Sequence, residues 1–150
     1  MILIAHRGNI VGQNLDRENT PDFINEAIEE GYDVEIDVWV VDGELYLGHD
    51  YPETKIEMDW IYSRSSKLWI HCKNLEAVSF MRNRIGLNWF WHQTDKVTLT
   101  SKGFLWCYPG VQGEYQLEGS IAVLPTHSDG SLNHCGGICS DYIKKYLEYR

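Results

Sequence analysis

Apolar residues recur along this chain with two different periods, and their succession predicts strands alternating with helices. Residues 1–5 form a short apolar run leading into His6-Arg7-Gly8, which reads as a buried strand opening into a loop. Thr20 then suits a helix N-cap and Pro21 the first helical position. Phe23, Ile24, Ala27 and Ile28 fall on one helical stripe, and Gly31 ends it. Residues 33–41 return to a strand. Asp42-Gly43 is a two-residue hairpin signal that turns residues 39–41 back into residues 44–47. A strand over 67–72 and a helix over 75–85 follow, with Asn74 as cap and Gly86 as stop.

The second half shortens. Strands are predicted over 88–92, 97–100, 104–108, 120–124 and 137–140, then a terminal helix from Asp141 with Ile143, Tyr146 and Leu147 inward. The gaps at 93–103, 109–119 and 125–136 barely hold the dozen or so residues of a parallel crossover, and they are rich in Gly, Ser and Asp. The pattern therefore predicts an α/β fold: one domain over residues 1–150, a compact or truncated (β/α) barrel of the TIM type with several outer helices replaced by loops. A bare outer face in that half leaves room for a homodimer.

Composition narrows the partners. The 150 residues are 43% hydrophobic and 23% charged, with 6 Trp and 9 Tyr, a globular balance with aromatics to spare for a cavity wall. The formal net charge of −9 argues against nucleic acid or a membrane surface, because both call for a basic face. An anionic ligand would need a cation, or local basic groups, to invert the field. No apolar run approaches a membrane span, and residues 2–5 are too short for a secretory core. Cys72, Cys107, Cys135 and Cys139 lack the spacing of a disulfide framework, so a reduced cytoplasmic chain is expected.

Glu35 and Asp37 carry the first chemical signal. Two apart on a strand, they project from one face while Val34 and Ile36 project from the other. Paired buried carboxylates repel each other and are costly to desolvate, and a hard divalent cation relieves both problems. The same alternation also describes an exposed edge strand. In the hairpin, paired residue numbers sum to 85, which carries His49 back to the level of the carboxylates without fixing where its ring points; a surface histidine is the plain alternative. His6 ends the first strand at the same mouth. Two histidines beside a cation can serve as general acid and base, and Arg7 can fork onto a phosphate.

Taken in order, His6-Arg7-Gly8, Glu18-Asn19-Thr20, Glu35-Ile36-Asp37-Val38 and Leu47-Gly48-His49-Asp50 resemble the successive signatures of glycerophosphodiester phosphodiesterases. Weaker echoes follow in Ile70-His71-Cys72-Lys73 and Gly137-Ile138-Cys139-Ser140-Asp141. The resemblance implies a metal-dependent phosphodiesterase that cleaves a glycerophosphodiester or related small phosphodiester. His6 and His49 would be the acid–base pair, and Arg7 and Lys73 would bind substrate. Glu35 and Asp37 would hold a magnesium, manganese or calcium ion, with Glu18 and Asn19 organising the site. A neighbouring substrate hydroxyl can attack phosphorus in such families, giving a cyclic phosphate that water then opens.

The chain departs from that pattern at His71, where a third carboxylate ligand is usual. His71 and Lys73 share a face, so His71 points where a ligand should, and its imidazole shifts preference toward manganese or zinc. The chain is also far shorter than the roughly 250 residues of such barrels. A phospholipase-D-like lyase and a non-catalytic phosphate-binding relative remain as rivals. His127, His134, Cys135 and Cys139 hint at zinc but lack paired Cys-x-x-Cys spacing, and read as buried or loop groups. Trp89, Phe90 and Trp91 read as core on both faces of a strand, Trp106 and Tyr108 as pocket wall or core, and Asp141 as a charge at a helix start.

Overall fold

The computed structural model describes residues 1–109, 111, 118–126 and 130–150. The strands are β1 (Ile2–His6), β2 (Asp33–Val41), β3 (Glu44–Leu47), β4 (Thr54–Ile56), β5 (Leu68–Cys72), β6 (Asn88–Trp91), β7 (Val97–Leu99), β8 (Leu105–Cys107), β9 (Ser120–Val123) and β10 (Gly137–Ser140). The α-helices are α1 (Pro21–Glu29), α2 (Met58–Tyr62) and α3 (Leu75–Met81).

One curled mixed sheet holds these strands. Its continuous path runs β4-β3-β2-β1-β10-β9-β8-β7, and β5 and β6 branch from β2. Strands β6, β5, β2, β1, β10, β9 and β8 are successively parallel. β3 runs antiparallel to β2, β4 to β3, and β7 to β8. The expected (β/α) barrel of the TIM type therefore does not form. The fold is a strand-rich half-barrel with short helices of 9, 5 and 7 residues. The physical reason lies in the connections. Hairpins reverse the chain where a barrel would cross over, and among the described residues no α-helix follows Met81. No helix among the described residues is long and apolar enough to cross a membrane.

Local chemistry explains the elements that did form as expected. Thr20 takes the N-cap position of α1 and Pro21 its first turn, but the Thr20 hydroxyl donates to Arg17 O and caps no N–H, whereas Asn74 caps α3 by accepting the Ala77 N–H at 3.0 Å. The hairpin pairs Val41 with Glu44, and Asp42 and Gly43 both take positive φ (52° and 80°), as a two-residue primed turn requires. α3 stops at Met81 rather than at residue 85, and the chain then tightens, with Arg84 N–H bonding Met81 O. The predicted terminal α-helix is a kinked 3₁₀ helix, Ile143–Tyr149. A tertiary bond from Lys144 N–H to Ile10 O and a tight bond from Lys145 N–H to Tyr142 O replace α-type bonds there.

The two faces of the sheet have different contents. Its convex face packs Leu3, Ala5, Val34, Ile36, Val38, Leu68, Ile70 and Ile138 against Ile24 and Ala27 of α1, Ala77 and Met81 of α3, and Ile143 and Tyr146. Burying each large aliphatic side chain contributes about 1.5–3 kcal/mol, so this layer dominates the stability. The concave face is filled at its base by Ile4, Trp69, Phe90, Trp106, Ile121 and Cys139. Phe90 stacks on Trp106 at 4.5 Å, and Trp69 meets Phe104 edge-on at 4.9 Å. Two residues further along, the same inward-facing rows change from apolar to polar: Ile4 to His6, Trp69 to His71, Cys139 to Asp141. The plug thus forms a dry floor beneath a polar mouth at the carboxyl ends of the parallel strands.

Candidate functional site

Glu35 and Asp37 occupy the inward face of β2, which is flanked by β1 and β5, so the edge-strand alternative is excluded. They are only 2% and 1% exposed. Glu35 Oε2 is buried without a hydrogen-bond partner among the described residues. The register of β5 sets His71 beside Asp37. His71 Nδ1 lies 3.0 Å from Asp37 Oδ1 and 3.7 Å from Glu35 Oε1. One ligand atom from each of these three residues falls within 4.8 Å of the others, and among the described residues this is the one such group. The donor set, two carboxylates and an imidazole with one buried carboxylate oxygen left unpartnered, fits a divalent cation.

Basic groups close over the carboxylates. Lys73 Nζ is 3.3 Å from Asp37 Oδ1, and Arg7 Nε is 3.2 Å from Asp37 Oδ2. Burial alone would raise the Asp37 pKa, but the His71 bond and the Lys73 charge outweigh it and hold Asp37 well below the usual carboxylate range. Glu35 goes the other way: burial first, and the neighbouring Asp37 charge second, push it up. Local cations thus answer the overall negative charge at this one place.

Asn19 organises the site through a gap in the sheet. On that edge of β2, Arg7 N–H bonds Glu35 O at 2.9 Å and Gly48 N–H bonds Asp37 O at 3.2 Å. Between them neither β1 nor β3 reaches the Asp37 N–H. Asn19 Oδ1 accepts it at 2.9 Å, and Asn19 Nδ2 donates to Asp37 Oδ2, also at 2.9 Å. The side chain acts as a missing ladder rung and also holds the carboxylate. Asn19 has φ +54°, a left-handed conformation that asparagine tolerates better than most residues. Glu18 orients Arg7, accepting from its guanidinium at 3.1 Å, and lies outside the cation cluster.

His6 Nδ1 lies 2.7 Å from Asp141 Oδ1, and His6 Nε2 lies 3.8 Å from Glu35 Oε2. A carboxylate only accepts, so the Nδ1–H faces Asp141. Burial pulls the His6 pKa down, but the Asp141 bond and the Glu35 charge together carry it above its ordinary value. His49 sits beyond β3, half-exposed, with Nδ1 2.8 Å from Asp50 Oδ1. Partial burial and the Arg7 charge lower its pKa. His6, Arg7, Glu35, Asp37, His49, His71 and Lys73 line one cavity of about 320 Å³, whose other wall includes Trp106, Tyr108, Val123 and Leu124.

Every site residue expected from the sequence thus falls at this mouth, with Glu18 and Asn19 behind it. Three further residues were missed. Asp141 is not a helix charge but the partner of His6, and its place in Gly137–Asp141 at the end of the last strand was the available signal. Asn9, fully buried, donates to both Glu18 Oε1 (2.8 Å) and Asp141 Oδ1 (2.9 Å). His92 lines the cavity and offers its backbone carbonyl to His71. Of the suggested zinc group, His127 lies outside the described residues, His134 is exposed, and Cys135 and Cys139 are buried free thiols. No protein-family model, no curated protein and no solved structure matches this chain.

Proposed function

We propose that this chain is a metal-dependent phosphodiesterase acting on a glycerophosphodiester or a related small phosphodiester. The observation that carries the reading is the shared cavity: the imidazoles of His6 and His49, the buried carboxylates of Glu35 and Asp37, the Arg7 guanidinium and the Lys73 ammonium line one space. Glu35, Asp37 and His71 would hold the cation, which when bound supplies positive charge opposite developing negative charge on phosphate oxygens. Arg7 and Lys73 bind the phosphate, Arg7 by its fork and Lys73 as a point charge.

The histidines divide the proton work. His49, whose pKa is lowered, is the neutral base that takes a proton from the attacking hydroxyl, either a neighbouring hydroxyl of the substrate or water. His6, backed by the Asp141 carboxylate, is the cationic acid. As the bond from phosphorus to the leaving alcohol breaks, His6 gives its proton to the departing oxygen. The aromatic floor of Trp69, Phe90 and Trp106 excludes water from beneath.

Assay of the full chain with a glycerophosphodiester and added divalent cation tests the reading. Turnover is expected, and it should fall by at least about 10²-fold in both His6→Ala and His49→Ala. Turnover that survives loss of either histidine overturns the acid–base assignment. Resolving cyclic from linear phosphate among the products shows whether the substrate's own hydroxyl attacks.

A further inference from the structure

We propose that the cation site selects a first-row transition ion over magnesium or calcium, with His71 Nδ1 as its third protein ligand. The inference rests on the cation site of the phosphodiesterase reading, and is independent of whether turnover follows.

Magnesium and calcium favour all-oxygen surroundings, whereas an imidazole nitrogen suits manganese, iron, cobalt or zinc. What matters is whether His71 is built to offer a lone pair. Its Nε2 lies 2.9 Å from the His92 carbonyl oxygen. A carbonyl only accepts, so Nε2 carries a hydrogen, and Nδ1 is the nitrogen turned toward the carboxylates, able to ligate once a cation displaces the hydrogen it shares with Asp37. The ring is held in that orientation by stacking on Phe90, with centroids 5.1 Å apart and planes 10° from parallel. Nδ1 then faces Asp37 Oδ1 at 3.0 Å and Glu35 Oε1 at 3.7 Å. Ligating histidines characteristically donate their second ring N–H to a backbone carbonyl or carboxylate in this way.

A second observation points to a ligand in the same space. Glu35 Oε2, on a side chain that is 2% exposed, is a buried oxygen with no hydrogen-bond partner among the described residues. Leaving such an atom unsatisfied is costly, and a cation among the three residues would answer that cost. The competing arrangement is an imidazolium at His71 that neutralises the two carboxylates on its own. It would bind no cation, or would bind one through oxygen alone.

The test is equilibrium binding to the metal-stripped full chain, titrated calorimetrically with Mn²⁺, Zn²⁺, Mg²⁺ and Ca²⁺. Manganese and zinc are expected to bind about 100-fold or more tighter than magnesium, and His71→Glu, with an all-oxygen set, should narrow that gap about tenfold. Pulsed electron paramagnetic resonance of the Mn²⁺-loaded wild type should show modulation from a directly coordinated nitrogen, a readout that needs no variant to fold. Equal affinity for magnesium, an unchanged gap in a folded His71→Glu, or absence of the nitrogen signal overturns the inference. Phosphodiester turnover is measured separately. Selective binding without turnover sustains this inference and removes the phosphodiesterase reading, whereas turnover with no nitrogen ligand does the reverse.

Discussion

His6 and Asp141 stand 135 positions apart in the chain, yet Nδ1 of one lies 2.7 Å from Oδ1 of the other. The parallel register of β1 and β10 brings this about: Ala5 pairs with Ser140, so the next residue of each strand turns inward beside the other. Asp141 touches no reacting atom in the proposed chemistry. It is a positioning residue that fixes the tautomer of His6 and stabilises its imidazolium. Asp141→Asn keeps the shape and removes the charge. It should lower kcat about 10²-fold with little change in KM. It should also move the limb of the pH–rate profile that belongs to His6 toward lower pH. A reduced rate with an unmoved limb would assign Asp141 a merely structural role.

The same pair predicts how stability depends on pH in the metal-free protein. The folded pKa of His6 is raised above its ordinary 6.5, so its contribution is complete below that value and is lost as pH rises through the raised one. Asp141 is lowered from 3.8, so its contribution is present above that value and is lost as pH falls through the lowered one. Glu35 is raised from 4.5 by burial and by Asp37, so its contribution is complete below that value and is lost as pH rises through the raised one. Urea midpoints should therefore be highest near about pH 4 to 4.5, decline as pH rises from there, and fall further above about 6.5. In Asp141→Asn the alkaline decline should be shallower, and an identical decline would show that His6 does not drive it.

Asn19 offers a test of the sheet gap. Asn19→Ala leaves the buried Asp37 N–H without its acceptor and Asp37 Oδ2 without one donor. Each orphaned group costs about 1–3 kcal/mol, so the loss should exceed that of an ordinary surface truncation severalfold. Denaturant unfolding measures it. Metal affinity should fall as well, because Asp37 loses the amide that holds its carboxylate in place. Asn19→Asp restores the acceptor but sets a third acid against Asp37, and should rescue little.

Some of this site was legible in the sequence because its signals are local. Glu35 and Asp37 share a face by strand period alone, and Asp42-Gly43 fixes the hairpin register that brings Gly48 level with Asp37. The Asp141 partnership depends on β10 returning beside β1, a pairing across almost the whole chain that no local pattern states. The Asn19 rung depends on the distance between the ends of two different strands. β4 and α2, of 3 and 5 residues, are too short for any period to show. The barrel expectation failed for a related reason. A parallel strand order is readable from alternating elements, but whether the sheet closes under a full coat of helices depends on connections whose sequences carry little periodicity.

Gly48 links the hairpin to the proposed base. A Cβ at this position would collide with the Tyr51 carbonyl oxygen, a backbone atom that cannot swing aside. Gly48 also donates its N–H to Asp37 O and accepts from Trp39 Nε1 at 2.7 Å. Gly48→Ala must therefore displace the turn that carries His49. Turnover should fall about as far as in His49→Ala, with a lower melting temperature, because the bonds around Asp37 and Trp39 are disturbed together. His49→Ala itself removes a half-exposed ring and should leave the melting temperature nearly unchanged. Glu35 and His71 stay in place in both variants, so each should keep most of its manganese affinity by calorimetry. If Gly48→Ala retains full turnover, the position of His49 in this loop is not what the chemistry needs.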